Sequence, residues 1–245
     1  MPTALLPHTS LMIRKIEGKF SLTAEEKQAL QKLPVQTQDV KSNHDIVTMG
    51  DRPRQCCLLL EGFSCVYKLT LEGKRQIMSL HIPGDMPDLQ SLHLHVIDIN
   101  IASLSPCKLG YIQHQDLHLL FERHPRLIAA FWHETLVDAA IFREWLLNVG
   151  QRDGYSRIAH IICELLLRLK AVGLVEDNTF DMPITQAELA DATGMTPVHV
   201  NRVLQALRND GLIISHRRKI TIPDWQKLQE AGEFDPLYLH LEKQN

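Results

Sequence analysis

Between Thr196 and Lys219 stand five basic side chains, Arg202, Arg208, Arg217, Arg218 and Lys219, against a single acid, Asp210. The whole chain carries a net charge of -3. Any attraction for a polyanion must therefore come from a local patch of this kind, not from the overall charge. Guanidinium and ammonium groups at a hairpin tip or beside a helix start suit phosphate oxygens. Asn201, Arg202 and Gln205 are side chains able to pair with base edges in a major groove. The chemistry on offer is recognition of nucleic acid rather than catalysis. No nucleophile elbow, phosphate loop or metalloprotease motif is found in the chain. No enzyme activity is expected.

Those side chains need elements to position them. Thr185-Gln186-Ala187-Glu188 has the spacing of a capping box and predicts a short helix over 186–192. Thr193-Gly194-Met195 reads as a tight turn, with Gly194 supplying the backbone freedom. Thr196 caps the next helix and Pro197 takes its first position. That helix is expected to reach about residue 209. Val200, Val203, Leu204 and Leu207 form its inner face, and Val198, His199, Asn201, Arg202 and Gln205 its outer one. Two short strands, 212–215 and 220–222, follow, joined by His216-Arg217-Arg218-Lys219. The pattern is helix, turn, helix and basic wing. The expected contacts to DNA are Thr185, Gln186, Thr196, Val198, His199, Asn201, Arg202, Gln205, Arg217, Arg218 and Lys219.

Upstream the texture differs. Thr23 and Glu26 have capping-box spacing before a helix over 22–33. Short β-rich runs then occupy 44–49, 57–60, 65–71, 76–82, 97–104 and 108–113. Gly50, Gly62, Gly73 and Gly84 punctuate them at the spacing of stacked antiparallel hairpins. A short helix covers 115–122. A long one begins at Pro125 and continues to about 149, with apolar residues on every side. Such a helix must be covered on both flanks, most economically by the β domain and a second copy of the chain, the alternative being the central helix of a monomer. Phe131, Trp132, Leu136, Ile141 and Trp145 are the expected dimer contacts. Glu134, Asp138, Arg143 and Glu144 interrupt any single heptad register. Residues 150–154 form a hinge, with Asp153 as cap for a helix over 156–172 that Gly173 ends. The fold class is α+β: an antiparallel β-roll in 1–124, a dimerisation helix and hinge in 125–152, and a winged helix-turn-helix in 153–245.

Composition limits the alternatives. The chain has 245 residues, 44% of them hydrophobic and 22% charged. No apolar run is long enough to span a membrane, and residues 1–10 lack a basic region before an apolar core. A cytoplasmic location without membrane attachment is expected. The five cysteines, Cys56, Cys57, Cys65, Cys107 and Cys163, show no CxxC spacing and read as buried apolar residues. Cys56 and Cys57 should face opposite sides of a strand. No metal site and no cofactor is expected. A metal or haem reading would lean on His81, His93 and His95, with Asp85, Asp88 and Asp98 nearby.

Gly62 with its flanking strands, Ile82-Pro83-Gly84-Asp85, and the stretch 185–222 together resemble the Crp/Fnr superfamily of bacterial regulators over roughly residues 20–241. The resemblance implies a jelly roll like that of cyclic-nucleotide-binding domains, and a homodimer seamed by the long helix. It also implies recognition of double-stranded operator DNA with a palindromic sequence, and contact with RNA polymerase if the protein is an activator. A small effector would sit between roll and helix, near Pro83, Gly84, Asp85, Asp88, Phe142 and Arg143. The chain departs from the cyclic-nucleotide pattern. The family's Gly-Glu pair falls at Asp88-Leu89, its phosphate-binding Arg at Ile99, and its adenine-contacting Thr-Ser at Phe142-Arg143. A buried phosphate would lack its cation, so cyclic AMP is not the expected effector. Residues 1–50 hold no cysteine, so the iron–sulfur sensor of other members is not expected either. The competing reading is a ligand, metal, haem or redox sensor with weak or conditional DNA binding.

Overall fold

The structure is a computed structural model that describes residues 7–242. Most of the N-terminal stretch read above for a secretory signal, residues 1–6, lies outside the described residues, as do 243–245. Helix α1, Ser10–Lys19, and helix α2, Ala24–Gln31, come first. Seven strands follow: β1 Gln36–Val40, β2 Asp45–Val47, β3 Gln55–Glu61, β4 Ser64–Leu69, β5 Arg75–His81, β6 Asn100–Ser103 and β7 Cys107–Gln113. One sheet has the order β1-β7-β3 and the other β2-β6-β4-β5. The paired strands β1–β7, β3–β7 and β2–β6 are antiparallel. Next come helices α3, His114–Arg123, α4, Arg126–Gln151, and α5, Gly154–Ala171.

The chain divides into two compact units. One holds the described residues up to Ser64 together with His81–Leu136; the other holds Cys65–Leu80 and Val137–His240. In the first, the two-residue period of β3 decides the packing. Cys56, Leu58 and Leu60 face a core shared with Met12, Ile13 and Ile16 of α1, Leu30 of α2, Leu117 of α3 and Leu127 and Phe131 of α4. Cys57 and Leu59 face the other side, with Cys107 and Leu109 of β7. The expected split of the adjacent cysteines is what the sheet produces. Each fully buried aliphatic side chain here stabilises the fold by roughly 1.5–3 kcal/mol. All five cysteines are buried and unbridged.

The capping box at Thr23 forms as its spacing predicts, with Glu26 N donating to Thr23 Oγ1 and Thr23 N to the Glu26 carboxylate. Gly62 sits at φ 89°, and a Cβ there would stand 2.5 Å from the Pro106 carbonyl oxygen, so only glycine fits this turn. Helix α1 and strand β1 were not expected. Strand β1 is polar and almost wholly exposed, so it carries no alternation to read.

The second unit continues with β8, Thr179–Asp181, helices α6, Gln186–Thr193, and α7, Pro197–Asn209, strands β9, Ile214–His216, and β10, Lys219–Thr221, and helix α8, Trp225–Ala231. The three strands form one sheet in the order β8-β10-β9. Asp153 caps α5 by accepting from Ser156 N at 2.8 Å, as expected. Among the described residues no helix is long and apolar enough to cross a membrane.

Candidate nucleic-acid interface

Helix α6 opens on the predicted box: Glu188 N donates to Thr185 Oγ1 at 3.2 Å and Thr185 N to Glu188 Oε2 at 2.6 Å. Gly194 ends it in the left-handed region, φ 67°. Thr196 Oγ1 then accepts from His199 N at 3.2 Å, with Pro197 in the first turn of α7. These local signals fix the angle between the two helices. Val200, Val203 and Leu207 bury one face of α7. Thr196, Val198, His199, Arg202 and Gln205 are exposed on the opposite side, Val198 to 63%. An isolated apolar side chain so exposed beside polar donors suits contact with a thymine methyl.

The other expected residues lie on α6 and the wing of the same unit. Thr185 and Gln186 are exposed at the start of α6. Gln186 Oε1 accepts from Asn201 Nδ2 at 3.1 Å, which ties the two helices across their exposed faces. Arg217, Arg218 and Lys219 are exposed at the wing. His216 pairs with Lys219, so Arg217-Arg218 is a two-residue hairpin loop. Arg217 stands at φ 56°, a conformation that favours glycine or asparagine. The backbone conformation gives no reason for an arginine here, since glycine would adopt it without strain. Replacing Arg217 with glycine should leave the hairpin as stable or more stable, read by thermal unfolding, while weakening DNA binding at low salt.

Two neighbours escaped the sequence reading. Tyr155, at the start of α5, donates from its hydroxyl to Asp210 Oδ2 at 2.6 Å. Burial and Asp210 push its pKa up to about 12, so it stays protonated beside α7. Arg75 of β5 donates from Nε to Asp191 Oδ2 of α6 at 2.7 Å. Each pair joins residues far apart in sequence, which no local motif marks.

The residues expected around an effector are placed as follows. Pro83, Gly84, Asp85 and Asp88 are buried in the turn after β5. Asp85 accepts from Ile82 N at 3.0 Å and pairs with Lys15 Nζ at 2.8 Å. Asp88 accepts from Cys57 N at 2.7 Å, and burial pushes its pKa up to about 7. A Cβ on Gly84 would stand 3.1 Å from the Leu11 carbonyl, so α1 packs directly on this turn. Phe142 and Arg143 are exposed on the part of α4 that belongs to the other unit. Ile99 is half-buried, while His93 and His95 are exposed. Among the described residues no three His, Cys, Asp or Glu side chains are grouped to hold a metal ion.

Of the five expected dimer residues, Phe131, Ile141 and Trp145 are buried within the chain itself. Trp145 is drawn inward because its Nε1 donates to Glu164 Oε2 at 2.9 Å. Trp132 and Leu136 are exposed, to 65% and 54%. Ile128, Phe142, Leu146 and Leu147 are exposed with them, Leu146 to 77%. Ile128, Trp132, Thr135, Ala139, Phe142 and Leu146 recur at alternating spacings of four and three, the heptad of a helix seam. The register lay hidden because the residues facing the chain's own core are equally apolar.

Comparison with known proteins agrees with this architecture. Residues 37–124 match the family described as cyclic nucleotide-binding domain, and residues 156–231 the family described as Crp-like helix-turn-helix domain. The transcriptional activator protein FnrL of Cereibacter sphaeroides is 24% identical over 201 residues, 79% of each chain. The nitrogen fixation regulation protein FixK of Rhizobium meliloti is 25% identical over 173 residues, 71% of this chain and 75% of its own. The fold of FixK2 from Bradyrhizobium japonicum matches with a TM-score of 0.72 at 19% identity, over 81% of this chain and 98% of that one. A CRP-family transcriptional regulator from Thermus thermophilus matches with a TM-score of 0.61 at 20% identity, over 80% and 97%. With both of its modules matched in order, the chain is a member of the Crp/Fnr family of transcriptional regulators, built from a cyclic-nucleotide-binding-like domain and a DNA-binding helix-turn-helix.

Proposed function

We propose that the protein acts as a homodimer that reads a palindromic operator and activates transcription, with RNA polymerase as its further partner. The observation that carries this reading is the outer face of α7, with Val198, Arg202 and Gln205 exposed and Asn201 half-buried, together with the exposed cationic wing tip Arg217–Lys219. The activator assignment draws on relatives such as FnrL, whose name describes a transcriptional activator. Titrating the protein with promoter-derived duplex at several salt concentrations tests the reading. Steep salt dependence with a strong preference over scrambled duplex is expected; equal affinity for both would overturn it.

The dimer rests on the exposed apolar seam of α4. Burying a leucine is worth about 1.5–3 kcal/mol, and a two-fold axis counts it twice. Leu146→Glu should therefore raise the dimer dissociation constant by about 100-fold or more, read by sedimentation. A variant with wild-type dimer mass at low micromolar concentration would contradict the seam.

Effector control is assigned to the turn that holds Pro83, Gly84, Asp85 and Asp88, and the effector is not cyclic AMP. Asp88 is bonded to Cys57 N, and Ile99 brings no cation. Calorimetry with cyclic AMP should give no heat of binding and no change in operator affinity; micromolar binding would refute this.

A further inference from the structure

Beyond the wing the chain folds back on α5. Helix α8 and the single turn Pro236–Leu239 bury Leu228, Phe234 and Leu239. A Cβ on Gly232 would stand 2.7 Å from the backbone nitrogen of His160, so this segment lies directly on the α5 backbone. Tyr238 falls outside the stretch that matches the helix-turn-helix family, residues 156–231.

His160 is the hub of the contact and is fully buried. Its Nδ1 lies 3.1 Å from the Gly232 carbonyl oxygen and its Nε2 3.0 Å from the Tyr238 hydroxyl. That hydroxyl is also 2.8 Å from Glu164 Oε2. Arg168 Nη1 donates to Glu164 Oε1 at 2.9 Å. The same segment reaches the end of α4, where Arg152 Nη2 donates to the Glu233 carbonyl at 3.2 Å and to Glu144 Oε1 at 2.7 Å. It thus holds Arg152, in the connection from α4 to α5.

The hydrogens in this chain can be counted. A carbonyl only accepts, so Nδ1 of His160 must carry a proton. A neutral imidazole then offers only a lone pair at Nε2, and an ionised Glu164 only lone pairs at Oε2. Tyr238 has one hydroxyl proton for both. One buried short contact would face acceptor to acceptor, which is costly. Glu164 already accepts from Trp145 Nε1 and Arg168 Nη1 as well, so the contacts close only if one more proton sits on Nε2 of His160. The charged groups acting on the imidazole are Glu144 from α4, Arg152 from the connection after it and Glu164 from α5; Glu233 pairs with Arg152 and Arg168 with Glu164. The imidazole pKa lies below its ordinary value: burial lowers it most, Glu164 and Glu144 oppose that, and Arg152 adds to the lowering.

We propose that this segment is a brace that sets the DNA-binding helices against the end of α4, with Tyr238 and His160 as its positioning residues, and that its catch closes only when the extra proton is present. The proposal rests on DNA binding as the function. Raising the pH removes the proton, so the brace is closed at lower pH and opens as pH rises.

The test uses the whole chain. Histidine 15N signals report whether both ring nitrogens of His160 carry hydrogen, and a 13C carboxyl signal reports Glu164. The expected result is one excess proton on His160 in mildly acidic solution, because burial lowers the imidazole pKa from its ordinary value. As pH rises it should leave, the C-terminal segment should become open to protease, and operator affinity should fall about 5- to 10-fold. Tyr238→Phe should bind with the weaker affinity throughout and lose this part of the pH profile. An imidazole that stays neutral in acid while the protein remains folded overturns the proposal, as does a folded Tyr238→Phe protein with wild-type affinity and profile. The NMR measurement is made on unmodified protein, so it decides even if the variant fails to fold. Wild-type protein that binds no DNA at any pH would count against the function, leaving the brace to be judged by NMR and proteolysis.

Discussion

Glu134→Gln is expected to destabilise the protein by about 3 kcal/mol at neutral pH, because it strips the paired carboxylate from sheltered Lys19 and leaves Lys15 with Asp85 alone. Lys15 Nζ stands 2.6 Å from Glu134 Oε2 and Lys19 Nζ 3.1 Å from Glu134 Oε1. The side chains are 16%, 5% and 13% exposed for Lys15, Lys19 and Glu134, so water screens the group weakly. The partial exposure of Lys15 places the expected cost at the lower end for a broken buried pair. Burial alone would raise the pKa of Glu134; Lys15, then His133 and Lys19, hold it well below the usual carboxylate value of 4.5. The folded-state pKa is depressed, so this stabilisation is present above the unfolded value and is lost as pH falls through the folded one. Wild type and variant should therefore converge in acid. Denaturant unfolding at pH 7 and at acid pH measures both arms. Equal midpoints at pH 7 would show that the cluster contributes nothing. The cluster also matters for function, since Lys15 joins α4 to Asp85 in the turn assigned to effector control.

Arg202→Ala should cost about 1–3 kcal/mol on the operator and relax the preference at one base pair in each half-site. Arg202 is exposed on the outer face of α7 and can bond a guanine O6 and N7 together. Val198 cannot accept from cytosine N4, so the position beside that guanine should tolerate or favour thymine. Arg217→Ala should act differently. It removes a cation from the hairpin tip, weakens all sequences about equally, and reduces the salt slope by about one. Titrating both variants against operator and scrambled duplex at two salt concentrations separates the two roles. If Arg202→Ala lowers affinity equally for both duplexes, Arg202 is a phosphate contact and the readout assignment is wrong.

The parts legible in the sequence are those whose physics is local. The boxes at Thr23 and Thr185, the cap at Asp153, the turn at Gly194 and the wing at 216–219 each depend on residues a few positions apart, and each forms as spaced. Strand β3 was readable, and its period of two separated Cys56 from Cys57. Long-range commitments were not. Helix α4 is apolar on both flanks, so composition could not say that Phe131, Ile141 and Trp145 turn inward while Trp132, Phe142 and Leu146 turn out. Helix α1 escaped notice because its lysines look like surface residues until Glu134 and Asp85, more than 60 positions away, are brought to them. Asp85 and Asp88 were grouped as effector contacts through the family resemblance. Their bonds to Lys15, Ile82 N and Cys57 N became visible only in three dimensions. Tyr238 lies far from His160 in sequence and belongs to no motif.

The most direct measurement for the central claim is selection of bound duplexes from a random pool by the purified protein, followed by sequencing and by sedimentation of the complex. The account predicts enrichment of a palindrome with a guanine in each half-site and half-site centres about 34 Å apart, one turn of DNA, bound by two copies of the chain. Recovery of duplexes without a shared sequence, or of a single half-site bound by one copy, would contradict it.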